Sequence, residues 1–220
     1  MADTFQTMKS ELEDLLDDAA FASAGSLNAY FLTWSNRIVK DICLEADVRR
    51  HLTSADLTTA TATYIYDFAT YISDFLKISD RFTKVRVDDS YPTVVTLEEL
   101  NDYDPDHDDT TTNEDPTVVA IEGNYLYTYP QMGSACVFTL ENYLREPTDM
   151  TATTSTVDLP WIYYVTDMVV AGVAGRYGFP WLNEYEQAKF WENRYREWLE
   201  KYKYHLGKSD SEKPLEGTYY

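Results

Sequence analysis

Four aspartates at alternate positions are the sharpest candidate for a chemical site in this 220-residue sequence. They are Asp102, Asp104, Asp106 and Asp108. Carboxylates at this spacing ligate calcium in helix-loop-helix proteins, but those loops also need a glycine at the sixth position and a glutamate at the twelfth. Here the two positions hold His107 and Asn113. We therefore predict a solvated acidic loop and no metal site, with adventitious cation binding as the alternative.

Residue types that perform catalysis occur here without the arrangement that catalysis needs. The histidines, His51, His107 and His205, have no serine or cysteine in a recognisable nucleophile elbow nearby. The 38 acidic residues offer so many pairs that none is singled out for glycoside hydrolysis. Cys43 and Cys136 stand far apart, which argues against a zinc site or a disulfide framework. No Walker loop or HExxH motif is present. We predict that the protein is not an enzyme and binds no cofactor.

Three glycines recur at every third position, at Gly172, Gly175 and Gly178. This spacing differs from the dinucleotide-binding fingerprint, and no predicted strand leads into it. Small residues let a neighbouring backbone or a large ring approach closely. We therefore predict that Gly172 and Gly175 are points of close helix packing.

The glycines lie in a segment, Leu159 to Tyr204, that is predicted to form two helices joined at Gly178-Phe179-Pro180. Its second helix carries a stripe at steps of three and four, formed by Trp181, Tyr185, Ala188, Trp191, Tyr195, Trp198 and Tyr202. We predict a helical core that includes Trp34, Trp181, Tyr185, Trp191, Tyr195 and Trp198. Cofactor stacking is the alternative use of such rings.

Charge and hydropathy exclude two kinds of partner. The formal net charge is -20, and a surface of that charge repels nucleic acid, so a protein that grips phosphates is excluded. The apolar run from Trp161 to Gly175 contains Asp167 and is shorter than the ~20 residues that a membrane span needs. The N-terminus lacks the features of a secretion signal, so we expect a cytoplasmic protein.

The rest of the chain predicts helices first and strands afterwards. Apolar residues at helical spacing predict a helix from Thr4 to about Ala22 and a second from Ser26 to near Asp47. Strands are predicted in the Thr- and Tyr-rich stretch from about Leu52 through Tyr64, Tyr66 and Phe68.

Further elements follow along the chain. They are a strand over Phe82–Val87, a short helix capped by Thr96, a hairpin turning at Gly123-Asn124, a strand over Ala135–Tyr143 and a helix that starts at Pro160.

These elements predict an α+β fold, in which a four-helix core of two N-terminal and two C-terminal helices carries a β-rich insertion between the helix pairs. The expected divisions are an N-terminal helical pair at 1–50, the insertion at 51–147, a C-terminal helical hairpin at 148–206 and a flexible arm at 207–220. The arm carries apolar anchors, Leu215, Tyr219 and Tyr220, which suit a segment that orders on a partner. A frayed terminus is the alternative.

Several short sequence motifs occur in an order that resembles a known protein family. They are Tyr91–Leu100 (YPTVVTLEEL), Ile121–Pro130 (IEGNYLYTYP), Phe138–Pro147 (FTLENYLREP), Leu159-Pro160-Trp161 and Glu186–Tyr195 (EQAKFWENRY). In this order, from Tyr91 to Tyr204, the chain resembles tailed-bacteriophage head-to-tail adaptor proteins, also called connector or head-completion proteins.

The resemblance implies a structural virion protein at the head-tail junction, assembled in the host cytoplasm. It implies a homo-oligomeric ring of about twelve copies that binds the portal protein and offers an attachment surface to a tail tube, nozzle or tail-completion protein. DNA would pass through the channel without specific binding, and the arm residues Leu215, Tyr219 and Tyr220 would grip the portal.

Two other readings remain open. Another virion component, such as a tail-completion protein or a β-rich tail-tip part, is one alternative, and it would bind the tail and not the portal. A tail-accessory cell-wall hydrolase is a further one, because some such proteins resemble this family, and one particular acid would then be essential for lysis.

Overall fold

The computed structural model describes residues 4–16, 25–46, 48, 51–58, 63–79, 83–88, 90–103, 111–112, 116–132, 136–160 and 162–211. It is 50% helical and 26% strand, with helices at both ends and strands in the middle, which confirms the predicted α+β class. Two compact units are present. The helical unit combines Met1–Arg50 with Pro147–Tyr220, and the strand unit is His51–Glu146.

In chain order the elements are α1 (Phe5–Leu16), α2 (Gly25–Ala46), β1 (Leu52–Thr58), β2 (Ile65–Asp67), α3 (Phe68–Tyr71), β3 (Phe75–Lys77), β4 (Lys84–Val87), β5 (Thr93–Val95), α4 (Leu97–Tyr103), β6 (Thr111–Thr112), β7 (Val118–Glu122), β8 (Tyr125–Tyr129), β9 (Gln131–Met132), β10 (Val137–Arg145), α5 (Val165–Val173), α6 (Phe179–Trp181) and α7 (Tyr185–Ser211). The residues Ala174–Gly178, between α5 and α6, form a π-helical segment.

The N-terminal helices bury most of the residues that the periodicity indicates, but Tyr30, which the same spacing places toward the core, is 44% exposed. In α1 the buried side chains recur at steps of three and four, and they are Phe5, Met8, Leu12 and Leu16. In α2 the buried side chains include Phe31, Trp34, Ile38 and Ile42. Residues 17–22 of the first predicted helix lie outside the described residues. The second helix ends at Ala46, as predicted to within a residue.

The three regularly spaced glycines each face a different neighbour. A methyl group added at Gly172 would stand 2.9 Å from Cγ2 of Ile38 in α2. One at Gly175 would stand 2.5 Å from the backbone nitrogen of Glu192 in α7, and one at Gly178 would stand 2.9 Å from the methyl carbons of Leu16 in α1. Each of the three helices therefore approaches the α5 and π-helical stretch at a position without a side chain.

The corner before α7 differs from the prediction. Gly178, Phe179 and Pro180 lie within a continuous helical path, because proline fits the first turn of the short α6. The chain turns instead at Asn183, which has a φ of 63° in the left-handed region. The amide of Glu184 donates to the carbonyl of Phe179 at 2.9 Å and closes the turn.

The prediction that a helix starts at Pro160 is also wrong. Helix α5 begins five positions later, at Val165, after a turn in which the amide of Val165 donates to the carbonyl of Ile162. The hydroxyl of Tyr202 donates to the carbonyl of Pro160 at 3.4 Å, so this stretch packs against α7 before the helix starts.

The strand unit is built around β10, which is the central strand of its sheet. Strand β1 pairs antiparallel along one edge of β10, and β4 and β3 pair antiparallel along the other. A second sheet has the order β2-β8-β7-β5, in which only the β5–β7 pair is parallel. A small parallel pair joins β6 and β9. The apolar core of this unit draws on both four-stranded sheets.

Local turn chemistry explains two features of this unit. The predicted hairpin is confirmed: β7 and β8 pair antiparallel, and Gly123 supplies a φ of 59° at the turn. The strand predicted through Phe68 is wrong from that residue, which begins α3. Asp67 caps this helix by accepting from the amide of Ala69 at 3.1 Å.

Helix α4 begins at a reciprocal capping box. The amide of Glu99 donates to the hydroxyl of Thr96 at 3.1 Å, and the amide of Thr96 donates to a Glu99 carboxylate oxygen at 2.8 Å. The hydrogen bonds from the backbone and the hydroxyl of Thr96 lower the pKa of Glu99. The predicted cap at Thr96 is confirmed.

The contact at Gly175 gives a testable prediction. Gly175→Ala should lower the free energy of unfolding by about 2–3 kcal/mol, since overpacking against an immovable backbone outweighs the gain in helix propensity. Gly178→Ala is the matched control and should cost under about 1 kcal/mol, because the Leu16 methyl groups can move. Denaturant unfolding measures both. Equal losses in the two variants would contradict this account of Gly175.

Candidate functional site

One arginine connects three elements of the helical unit. The Arg176 side chain leaves the π-helical segment and donates from Nη1 to Asp41 Oδ2 of α2 at 2.7 Å. Its Nε donates to Glu192 Oε2 of α7 at 3.0 Å. The guanidinium carbon lies 4.6 Å from the ring centre of Tyr195. The π-helical segment, α2 and α7 are therefore joined by one fixed, planar cation.

The electrostatics keep this cation charged. Partial burial acts against the charged form of Arg176, but the hydrogen bonds to Glu192 and the nearby carboxylates outweigh it and raise the pKa of Arg176. A second cation, Lys203, binds Glu45 at 3.3 Å and Glu200 at 3.1 Å. Although burial acts against its charge, these two carboxylates raise the pKa of Lys203. The facing sides of α2 and α7 are thus held by two ionic clusters.

A cleft of about 380 Å³ lies beside the arginine, and it is lined by Glu45, Arg176, Tyr195, Arg196, Leu199 and Glu200. The Tyr195 side chain is fully buried, and its hydroxyl makes no hydrogen bond to a described residue. Burial raises the pKa of Tyr195, so the phenol stays protonated at neutral pH. The lining therefore holds carboxylates, guanidinium groups and a phenol.

An aromatic cluster lies at the N-terminal half of α2. The Trp34 ring stacks on Tyr177 with ring centres 5.7 Å apart, and Tyr30 lies 5.5 Å from Trp181. Trp181 is also 6.1 Å from Trp34. Tyr30 is 44% exposed and Trp181 is 57% exposed, so this cluster reaches the surface. Aromatic surface of this kind is typical of protein interfaces.

The predicted core residues divide into two groups. Trp34 and Tyr195 are buried, and Trp191 and Trp198 are half-buried. The assignment of Trp181 and Tyr185 to the core is wrong, because they are 57% and 66% exposed. Trp181 lies in α6, so the helical spacing of α7 does not predict which way it faces. Tyr185 is the first residue of α7 and precedes the close contact of that helix at Glu192.

Sequence reasoning missed the ionic residues, Asp41, Arg176 and Glu192. A usable signal was present at Arg176, which is the one charged residue between Asp167 and Glu184 in an otherwise small and apolar stretch. A charge inside such a run requires a partner when the run is buried. The partner on α2 is distant in sequence and could be identified only from the fold.

The other predicted site residues are less informative. Asp102 is exposed on α4, and Asp104, Asp106 and Asp108 lie outside the described residues, as do Leu215, Tyr219 and Tyr220. Among the described residues no group of three or more His, Cys, Asp or Glu side chains could hold a metal ion. His205 lies near the C-terminal end of α7, and its Nδ1 is 2.7 Å from the hydroxyl of Tyr164, which precedes α5.

The last helix extends beyond the predicted hairpin. Helix α7 continues through Gly207 to Ser211, so the first five residues of the predicted arm are helical. A single glycine costs only about 1 kcal/mol relative to alanine, which a long helix tolerates. No helix in the described part of the chain combines the length and the apolar character needed to cross a membrane.

Comparison with known proteins gives one family. A family model described as SU10 adaptor protein matches residues 3–215. No curated protein matches the sequence. The match covers both helical ends and the whole strand unit.

The buried tyrosines give a second prediction. Tyr195→Phe should leave the free energy of unfolding unchanged or raise it by up to about 1 kcal/mol, because it removes a buried hydroxyl that has no partner. Tyr143→Phe is the matched control. Its hydroxyl donates to Asp74 at 2.7 Å, and its loss should cost about 1–3 kcal/mol. A destabilised Tyr195→Phe protein would show that the hydroxyl has a binding partner.

A third prediction concerns the joining arginine. Arg176→Met should lower the free energy of unfolding by about 1–2 kcal/mol, a value reduced for partial solvent screening, because Asp41 and Glu192 lose their cation. Arg196 bonds the same Glu192 at 3.1 Å but is 69% exposed. Arg196→Met should therefore change stability by at most about 0.5 kcal/mol. Similar losses in both variants would mean that the interhelical position of Arg176 has no special effect.

Proposed function

This chain belongs to the SU10 adaptor protein family, a family of phage head-to-tail adaptors, and we propose that it forms the ring beneath the portal that receives the tail. The match over residues 3–215 is the observation that carries the proposal. Adaptors of this family are structural virion proteins that associate with portal and tail proteins. We propose further that the ring contains about twelve copies, that DNA passes through it and that the protein catalyses no reaction.

The helical unit suits a subunit that must keep its shape in a ring. Gly175 lets α7 approach the π-helical segment at backbone distance, and Arg176 joins that segment to α2 as well. Close packing transmits strain with little compression. Many equivalent contacts around a ring then act together, so each contact can be weak.

The charge of the chain suits a channel for DNA. A net charge of -20 opposes binding to phosphates. DNA has to leave the head through such a ring, and an acidic lining would let it slide without adhering. The protein would then contact DNA by enclosing it, with no specific binding.

The segment after α7 suits attachment to another chain. Helix α7 has 27 residues and is about 40 Å long. The anchors Leu215, Tyr219 and Tyr220 follow this helix in the sequence. We propose that they bind the portal.

The experiment images the portal with and without this protein by negative stain, and counts the subunits in any added layer. We expect an added, rotationally symmetric layer with the full chain. A chain that ends at Ser211 should keep its thermal unfolding transition, because the whole of α7 remains, but should lose most of its binding to the portal. No added layer with the full chain would overturn the adaptor ring.

An intact layer from the shortened chain would keep the ring and reject the arm as its anchor. The same preparations should also leave peptidoglycan intact in a clearing assay. Clearing that is lost on substitution of one carboxylate would reject the structural role.

A further inference from the structure

The outward side of α2 differs in chemistry from the rest of this acidic chain. Five of its exposed side chains recur at steps of three and four, and this row consists of Tyr30, Thr33, Arg37, Lys40 and Leu44, while the exposed Glu45 lies beside the row. No carboxylate lies in this row, although the chain has 38 acidic residues and only 18 basic ones. Helix α2 therefore presents a basic and partly apolar face, which we call the α2 face.

The acidic residues of α2 form ion pairs with other parts of the helical unit. The helix contains two carboxylates, Asp41 and Glu45, and they bind Arg176 and Lys203 within the helical unit. Arg37, in contrast, makes no ion pair with any described residue. In a chain with so few cations, an exposed arginine without an acid is available to an outside carboxylate.

Aromatic residues extend the α2 face at one end. Tyr30 contacts Trp181 with ring centres 5.5 Å apart, and both rings are about half exposed. Exposed charge pairs alone contribute little to binding, so a docking surface also needs apolar anchors. Tryptophan, tyrosine and arginine are the residues that dominate interface energies.

A complementary surface exists on the same chain. On α4, Glu98 and Asp102 are exposed, one helical turn apart, and neither pairs with a described cation. They begin the stretch 98–115, which contains nine acidic residues and no lysine or arginine. Because each copy then carries both a basic and an acidic surface, copies can join head to tail and close into a ring.

We propose that the α2 face of one copy docks on the α4 carboxylates, Glu98 and Asp102, of a neighbouring copy. This inference rests on the proposed ring and adds the surfaces that form it. DNA is a less suitable partner for the α2 face than a neighbouring copy. The α2 face holds only two cations, and strong binding to DNA phosphates needs several. The repulsion from the remaining acids acts in the same direction.

The test is a charge-reversal cycle in the full-length protein, read by the concentration needed to complete the layer on the portal. Arg37→Glu should raise that concentration at least about tenfold, and Asp102→Arg should do the same. The two changes in one chain should restore assembly to within about threefold of the unchanged protein. Both sites are exposed, so thermal unfolding of all three variants should stay within a degree or so of the unchanged protein.

Lys189→Glu is the matched control. Lys189 is an exposed cation on α7 that makes no ion pair with a described residue, and the change in net charge equals that of Arg37→Glu. We expect assembly of this variant to be unchanged. An equal loss for Lys189→Glu would overturn the proposal, because net charge alone would then explain the effect.

The remaining outcomes also decide the question. If Arg37→Glu is rescued by neither Asp102→Arg nor Glu98→Arg, the proposed pairing is wrong while the ring stands. If Arg37→Glu leaves the layer intact but changes DNA release from filled heads, the α2 face meets DNA and the proposal is overturned. If the unchanged protein adds no layer, the proposed function fails and this inference fails with it.

Discussion

The close approach of α7 to the π-helical segment at Gly175 is the constraint on which the helical unit depends. A β-carbon there would stand 2.5 Å from the backbone nitrogen of Glu192, which real structures do not permit without a shift of backbone. The next residue, Arg176, can reach Glu192 and Asp41 together because the two helices lie so close. A larger residue at position 175 would separate the helices and lengthen the contacts of this cation.

The distribution of cations follows from this packing. The chain has 18 basic residues for 38 acidic ones, and some of the few cations hold helices together. Arg176 and Lys203 bind the two carboxylates of α2, Asp41 and Glu45, and the α2 face contains no acid.

The fold was predictable wherever one local rule acted alone. Helical spacing located the buried residues of α1, and Gly123 located the hairpin turn. The predictions failed where a second local preference was stronger. Asp67 caps a helix where Phe68 suggested a strand, and Pro180 begins a helical turn where it suggested a corner. In both cases the capping or first-turn role of the residue determined the structure.

The candidate site was less accessible to sequence reasoning, because its parts are distant in the chain. Arg176 and Asp41 are 135 positions apart, and no local pattern connects them. The stripe on α7 identified Tyr195, but periodicity cannot indicate where a neighbouring helix begins to cover it, so Trp181 and Tyr185 were placed in the core. The resemblance to the adaptor family, in contrast, depended on the order of several short motifs along the chain. The family match over residues 3–215 confirms this resemblance.

The most direct test of the adaptor role is a reconstruction of the neck of the intact virion at a resolution that shows helices. We expect a closed ring of this chain between the portal and the first tail component, with a long helix in every subunit that matches α7. A neck without this chain, together with copies found only at the tip of the tail, would contradict it.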